Sequence, residues 1–298
     1  MKSYVLGVDI GGTNFRMGCV DANGNTVHFE KSSSRLFQTE GAVALARCIK
    51  NYIKAHNLDG QLLAVGIGVP SMVSKDRQKI LSTPNLKGFD RISLPSELES
   101  LLKLPVFLDR DVNYLLLDDC NTLHLHDKSC VLGFYVGTGL GNAILMHGQI
   151  YRGQNGAAGE LGHIPLYAVE DVCTCQNIGC AETRMSGRYL EMLAQKHFPR
   201  EDVHFLFELH PDDPILMEFV RSLAIPIATE ITILDPSAVI LSGGVLYMPN
   251  FPREFLKTEI LKNLRKPYPY ETIEIHYIDH TPESAVRGAG LTVHSVFR

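Results

Sequence analysis

YVLGVDIGGTNFRMGCVDANGNTVHF, running from Tyr4 to Phe29, decides the fold. Tyr4–Ile10 is an apolar run that meets Gly11-Gly12-Thr13-Asn14, and a second run, Phe15–Val20, follows. Asn23-Gly24 then leads into a third, Thr26–Phe29. Strand-forming runs separated only by Gly and Asn-Gly turns predict an antiparallel meander. The device returns at Val131–Val136, GTGLG at 137–141 and Ala143–Met146, with His147-Gly148 as its second turn. Two copies of one meander in two halves of the chain point to a duplicated architecture.

Outward from the first meander, Ala42, Leu45, Ile49, Tyr52 and Ile53 recur at helical spacing. Leu62–Gly68 reads as a buried strand, 94–102 as a helix with Pro95 near its start, and Pro105–Leu108 as a strand ending at Asp109-Arg110-Asp111. Helical segments are expected at Asn113–Asp119, Arg184–Lys196 and Pro214–Leu234. The last of these would be capped by Asp212 or Asp213 and kinked at Pro226. Ser237–Leu241 and Ile273–Ile278 complete the strands. Strands alternating with helices after each meander predict an α/β fold with mixed sheets.

At 298 residues the chain exceeds one typical domain. Two closely joined lobes are expected, 1–112 and 113–281. The segment from about 282 to 298, with Ala285, Gly288 and Ala289 for close packing, would return to the first lobe. A net charge of −5 without a basic stripe argues against nucleic-acid partners. No apolar run reaches membrane-span length, and the first residues do not read as a leader. Of seven cysteines, Cys19, Cys48, Cys120 and Cys130 sit in apolar segments, which suits a reducing compartment and a cytoplasmic protein.

Chemistry concentrates at a few places. Asp9 precedes Gly11-Gly12-Thr13-Asn14, where backbone N–H groups and a hydroxyl could meet a phosphate and Asp9 could hold Mg²⁺ through water. A plain hairpin with Asp9 as a turn residue is the alternative. Gly137-Thr138-Gly139-Leu140-Gly141 offers the same physics, without the lysine of a Walker loop or the spacing of a dinucleotide fold. Ser242-Gly243-Gly244 after a buried strand is a third point of close approach, fit for an adenosine. His163, Cys173, Cys175 and Cys180, spaced H-x9-C-x-C-x4-C, form a Cys3His set for a closed, structural Zn²⁺ site bracketed by Glu160 and Glu182.

Taken together, DIGGTN at 9–14, RDVN at 110–113, GTGLG at 137–141, GELGH at 159–163, CTCQNIGCAE at 173–182 and SGG at 242–244 resemble the ROK family (repressors, open reading frames and kinases) over nearly the whole length. The resemblance implies the two-lobed ATPase fold of actin, Hsp70 and sugar kinases, with a duplicated βββαβα core, and lobes that close on sugar and ATP. It further implies Mg²⁺-dependent phosphoryl transfer from ATP to the 6-hydroxyl of a hexose. Asp111 matches the family's catalytic base, its alternative role being an N-cap for the next helix.

Glu160, His163 and Glu182 match positions that bind sugar hydroxyls, and a zinc-ligating His163 would keep one ring nitrogen for that task. Thr83 and Asn85 fall in a loop that lines the sugar cleft in the family. Arg110 stands where family members that act on glucose or N-acetylhexosamines carry Asn. This departure, with STPNL at 82–86 and FPREFL at 251–256, resembles family members that act on D-allose, and the resemblance implies D-allose as the expected substrate, with glucose, N-acetylglucosamine or N-acetylmannosamine as the alternatives. A surface Arg110 paired with Asp109 is the plainer reading. The regulators of the family carry an N-terminal DNA-binding module, for which a first strand beginning at Tyr4 leaves no room. A homodimer or homotetramer is implied as well.

Overall fold

The computed structural model describes residues 3–37, 40–83, 86 and 88–297. The chain divides into two compact units. Unit 1 comprises Met1–His124, Arg152–Ala158 and Thr281–Arg298, and unit 2 comprises Leu125–Tyr151 and Gly159–His280.

Unit 1 opens with the expected meander, β1 (Tyr4–Ile10), β2 (Asn14–Val20) and β3 (Thr26–Ser33), paired antiparallel. The β2–β3 turn is held by Asp21, whose Oδ1 accepts from the N–H groups of Asn23 and Asn25. Helix α1 (Gly41–Ala55) buries Ala42, Leu45, Ile49 and Tyr52 on one face, as its spacing dictates. Then come β4 (Leu62–Val69), the short hairpin β5 (Met72–Val73) and β6 (Ile80–Ser82), α2 (Leu94–Leu102), β7 (Val106–Arg110) and α3 (Asp111–Thr122). β4 and β7 extend the sheet in parallel, giving the order β3-β2-β1-β4-β7.

Unit 2 repeats that plan. β8 (Cys130–Val136), β9 (Leu140–Met146) and β10 (Gln149–Ile150) form the second meander. Helices α4 (Gly187–His197), α5 (Leu206–Leu209) and α6 (Pro214–Leu234) lead to β11 (Ala238–Ser242), α7 (Arg253–Asn263) and β12 (Glu274–Tyr277). β11 and β12 again add in parallel, giving β10-β9-β8-β11-β12, strand for strand the order of unit 1. The α/β class and the duplicated core follow directly from this identity.

Helix α8 (Ser284–Val296) completes unit 1. Its small residues permit backbone contact: a Cβ on Gly288 would lie 2.1 Å from the Tyr114 carbonyl oxygen of α3. Beside that contact Arg287 donates from Nε and Nη2 to both oxygens of Asp118, each at 2.7 Å.

Several boundaries differ from the sequence reading. Helix α3 starts at Asp111, two residues ahead of the expected Asn113, and it belongs to unit 1, so the expected boundary after residue 112 lies ahead of its second turn. Helix α4 starts at Gly187 and not at Arg184, because Ser186 caps it by accepting from the Tyr189 N–H, while Ala181–Thr183 form a separate 3-10 turn. Asp213 is the cap of α6, its Oδ1 accepting from Ile215 and Leu216, and the helix runs as one element through Pro226. Among the described residues no helix is long and apolar enough to cross a membrane.

Candidate active site

In unit 1 the Gly11–Asn14 turn is closed by the Gly11 N–H donating to the Asn14 carbonyl at 2.8 Å. Ser34 braces it, its Oγ donating to the Gly11 carbonyl at 2.6 Å and its N–H to that of Thr13 at 2.9 Å, while Gly12 and Thr13 stay exposed. Asp9, at the end of β1, is buried and ion-paired with Arg16 at 2.7 Å. Burial pushes its carboxyl pKa up, and the Arg16 guanidinium opposes that shift.

The end of β7 carries two acids with different fates. Asp109 is 1% exposed and accepts from the Arg110 N–H at 2.9 Å, from Asn113 Nδ2 at 2.6 Å and from the Arg152 guanidinium. Asp111 is half-buried and is the first residue of α3, its Oδ1 accepting from the Val112 N–H at 2.8 Å. The expected alternative for Asp111, an N-cap, does not apply: Arg110 occupies the cap position, and Asp111 sits inside the first turn, where negative charge favours the helix dipole.

The surface reading of Arg110 is likewise corrected. The residue is 8% exposed and its Nη1 donates to the Ala158 carbonyl at 2.8 Å, while the ionic partner of Asp109 is Arg152. Thr83 is buried, its N–H donating to Asp90 Oδ1 at 3.1 Å. Asn85 lies outside the described residues.

In unit 2 the four expected metal ligands converge, with their ligand atoms within 4.8 Å of one another. Cys173 Sγ is 3.6 Å from His163 Nδ1, and Cys175 Sγ is 3.5 Å from Cys180 Sγ. A tetrahedron with zinc–ligand bonds of about 2.0–2.3 Å has edges of roughly 3.3–3.8 Å, so these two separations fit the ion. A disulfide at about 2.05 Å does not fit, and all seven cysteines are free thiols. Around the cluster the chain has little regular structure: two isolated bridges, Pro165 with Cys180 and Val172 with Ile178, and a knuckle closed by Cys173 N–H to the Asn177 carbonyl. With His163 Nδ1 on the cluster, Nε2 faces Glu160, 3.6 Å from its Oε2.

Glu182 joins the metal loop to the second Gly-rich turn. Its Oε2 accepts from the Leu140 N–H at 3.1 Å, and a Cβ on Gly139 would come within 2.3 Å of that oxygen. The turn's carbonyls are held in their own way, Gly187 N–H donating to Gly137 at 2.7 Å and Arg188 N–H to Thr138 at 3.1 Å. Gly243, with φ of +105°, passes so close to β8 that a Cβ would sit 2.5 Å from the Val136 nitrogen, which brings Ser242-Gly243-Gly244 to the root of the same turn.

Sequence reading missed Arg152, whose partner is 43 residues away. It also missed a cavity of about 170 Å³ lined by Asp171, Thr174, Glu182, Ser186, Arg188 and Tyr189. Arg188 and Ser186 open a helix there, a position that no local pattern distinguishes from an ordinary cap.

The chain belongs to the ROK family, whose model matches residues 5–296. It is 29% identical to an N-acetyl-D-glucosamine kinase of Aliivibrio salmonicida, an alignment covering 95% of this chain and 97% of that one. It is 30% identical to a putative xylose repressor of Caldicellulosiruptor sp. over 67% of this chain and 55% of the repressor. A ROK glucokinase from Streptomyces griseus, solved with glucose and AMPPNP, superposes with a TM-score of 0.78 at 25% identity, covering 96% of this chain and 97% of that one. The fold is therefore the actin-like ATPase fold of the ROK sugar kinases.

Proposed function

We propose that this protein transfers the γ-phosphoryl group of ATP to the 6-hydroxyl of a hexose, with Asp111 accepting the hydroxyl proton. The observation that carries this reading is the contrast between the two acids at the end of β7. Asp109 is sealed among three donors at 1% exposure, whereas Asp111 is only half-buried and stands in the first turn of α3, where the helix dipole favours the ionised carboxylate a base needs. The kinase among the relatives and the AMPPNP in the Streptomyces griseus structure support ATP as donor.

Phosphoryl transfer asks mainly for positioning and charge stabilisation. Gly11, Gly12, Thr13 and Asn14 of unit 1 and Gly137, Thr138, Gly139 and Gly141 of unit 2 are assigned to the phosphates, and Gly243 with Gly244 to the adenosine. Asp9, fixed by Arg16, would hold a Mg²⁺ through water, and the ion would supply charge that neutralises the phosphates. Glu160, Glu182 and the Nε2 of His163 are assigned to sugar hydroxyls, with Thr83, Asn85 and Arg110 in supporting positions. The Cys3His cluster fits zinc as a clip that orients His163 and Glu160, and no chemical step is assigned to it.

The proposed hexose is D-allose, with glucose or an N-acylhexosamine as the alternative. The four unpaired thiols outside the metal set, Cys19, Cys48, Cys120 and Cys130, support a reducing, cytoplasmic setting, and a homodimer or homotetramer is the proposed assembly. A sugar-sensing regulator is the second reading, favoured by the xylose-repressor relative.

The test is an ADP-release assay with ATP, Mg²⁺ and a panel of allose, glucose, mannose, N-acetylglucosamine and N-acetylmannosamine, with Asp111→Asn as control. Allose leading in kcat/KM and a dead variant are expected. Another sugar leading would replace allose and keep the kinase, while no turnover on any sugar, with sugar binding retained, would favour the regulator.

A further inference from the structure

The segment Arg152–Ala158 leaves unit 2 after Ile150 and Tyr151, packs within unit 1, and returns to unit 2 at Gly159. Both of its ends are fastened to consecutive residues of β7. At its start Arg152 pairs with the buried Asp109, and at its finish the Ala158 carbonyl accepts from Arg110 Nη1 at 2.8 Å. The segment closes on itself through Ala158 N–H to the Arg152 carbonyl at 3.3 Å. Its middle lies on the β5–β6 hairpin, where a Cβ on Gly156 would come within 2.2 Å of the Val73 carbonyl oxygen. The next chain residue after the fastened end is Gly159, and Glu160 follows it.

From this arrangement we infer that Arg110 and Arg152 form a two-point latch that positions the strand of chain entering Glu160, so that Arg110 governs sugar affinity as a positioning residue and not by reading an individual hydroxyl. The inference rests on the kinase reading for its kinetic consequence but not for its structural one. The latch is built from charged donors whose acceptors are a buried carboxylate and a carbonyl, the class of hydrogen bond with the largest individual effect. Asp109 is the shared anchor: it takes Arg152 through its carboxylate and orients Arg110 through the backbone N–H. Releasing Arg110 removes the fastening on the residue that precedes Gly159 and Glu160, while Asp111, fixed by its own helix, keeps its place.

Arg110→Asn and Arg110→Lys are compared with wild type by amide hydrogen exchange and by steady-state kinetics on each hexose accepted. Arg110→Asn is expected to speed exchange over 152–158 selectively. It should also raise the KM for every accepted sugar on the order of ten- to a hundredfold, with the KM for ATP and the ranking of sugars kept. Arg110→Lys, which retains a charged donor, should recover part of both effects, and Arg152→Lys should speed exchange over the same segment. Unchanged exchange over 152–158 in Arg110→Asn overturns the latch, as does a reversal of sugar preference without faster exchange. Absence of turnover in the wild type would remove the kinase reading, and the exchange data alone would then decide the latch.

Discussion

Glu230, on the buried face of α6, is a carboxyl that burial pushes up to about 7, with the neighbouring Asn142 amide pulling the other way. Its Oε2 and the Oδ1 of Asn142 both lack hydrogen-bond partners, while Asn142 Nδ2 is committed to the Gly133 carbonyl at 3.1 Å. A proton on Glu230 turns one acceptor into a donor, which suits a site with two acceptors to satisfy. The folded chain thus keeps this proton at pH values where the unfolded carboxyl, with its ordinary value of 4.5, has released it. The associated stability is fully present below about 4.5 and is lost as pH rises through about 7, a loss on the order of 3 kcal/mol. Urea midpoints at pH 5 and pH 8 should therefore diverge for wild type, whereas Glu230→Gln should abolish most of the difference. Equal pH profiles for the two proteins would refute the assignment. At Asp111 the effect is chemical: Asp111→Asn should lower kcat by about 10²- to 10⁴-fold, with hexose affinity by calorimetry little changed.

Among the elements, the loop proposed to hold zinc has the least regular structure to rely on. Its chain from His163 to Cys180 is tied by turns and isolated bridges, with Tyr167 wholly exposed and Val172 and Ile178 turned largely to solvent. Under the zinc proposal, metal analysis should find one zinc per chain, and its removal by a strong chelator should raise amide exchange over 163–182 and weaken hexose binding. Sheet β8–β9 should remain protected. The contact of α8 with α3 makes the opposite case, since it has no slack. Gly288→Ala would drive a methyl into the Tyr114 carbonyl, and the strain should cost about 1–3 kcal/mol in urea unfolding.

These examples separate what the sequence discloses from what it conceals. Both meanders are legible because Gly and Asn-Gly turns punctuate apolar runs, and the metal set because its donor types are rare at that spacing. Helix α7 escapes reading because its buried residues, Leu256, Glu259 and Ile260, make a narrow and partly polar face. The Asp109–Arg152 pair escapes because tertiary folding alone brings it together. Arg110 could be singled out as a departure from its relatives, yet its acceptor, a backbone carbonyl of Ala158, carries no side-chain signature.

At the scale of the molecule, one sheet plan is used twice, and in unit 1 it is finished by a helix from the far side of unit 2 in the chain. Helix α8 covers β1 and β4, with Val293 packed among Val5 and Ala64, and it neutralises Asp118 with Arg287. Deleting 284–296 should thus leave β1 and β4 with an uncovered apolar face and render the protein insoluble. Arg287→Met alone, by removing both guanidinium hydrogen bonds from the 1%-exposed Asp118, should cost about 3–5 kcal/mol. The same threading fixes a schedule for the newborn chain. The strands of unit 1 leave the ribosome first, but α8 begins at Ser284, roughly 170 residues after β7 ends at Arg110, about 9–35 s at ordinary elongation rates. Through that interval the earliest strands carry an open apolar face, and unit 2 is itself complete only at His280, so the half translated first waits longest and is the half that a chaperone would need to shelter.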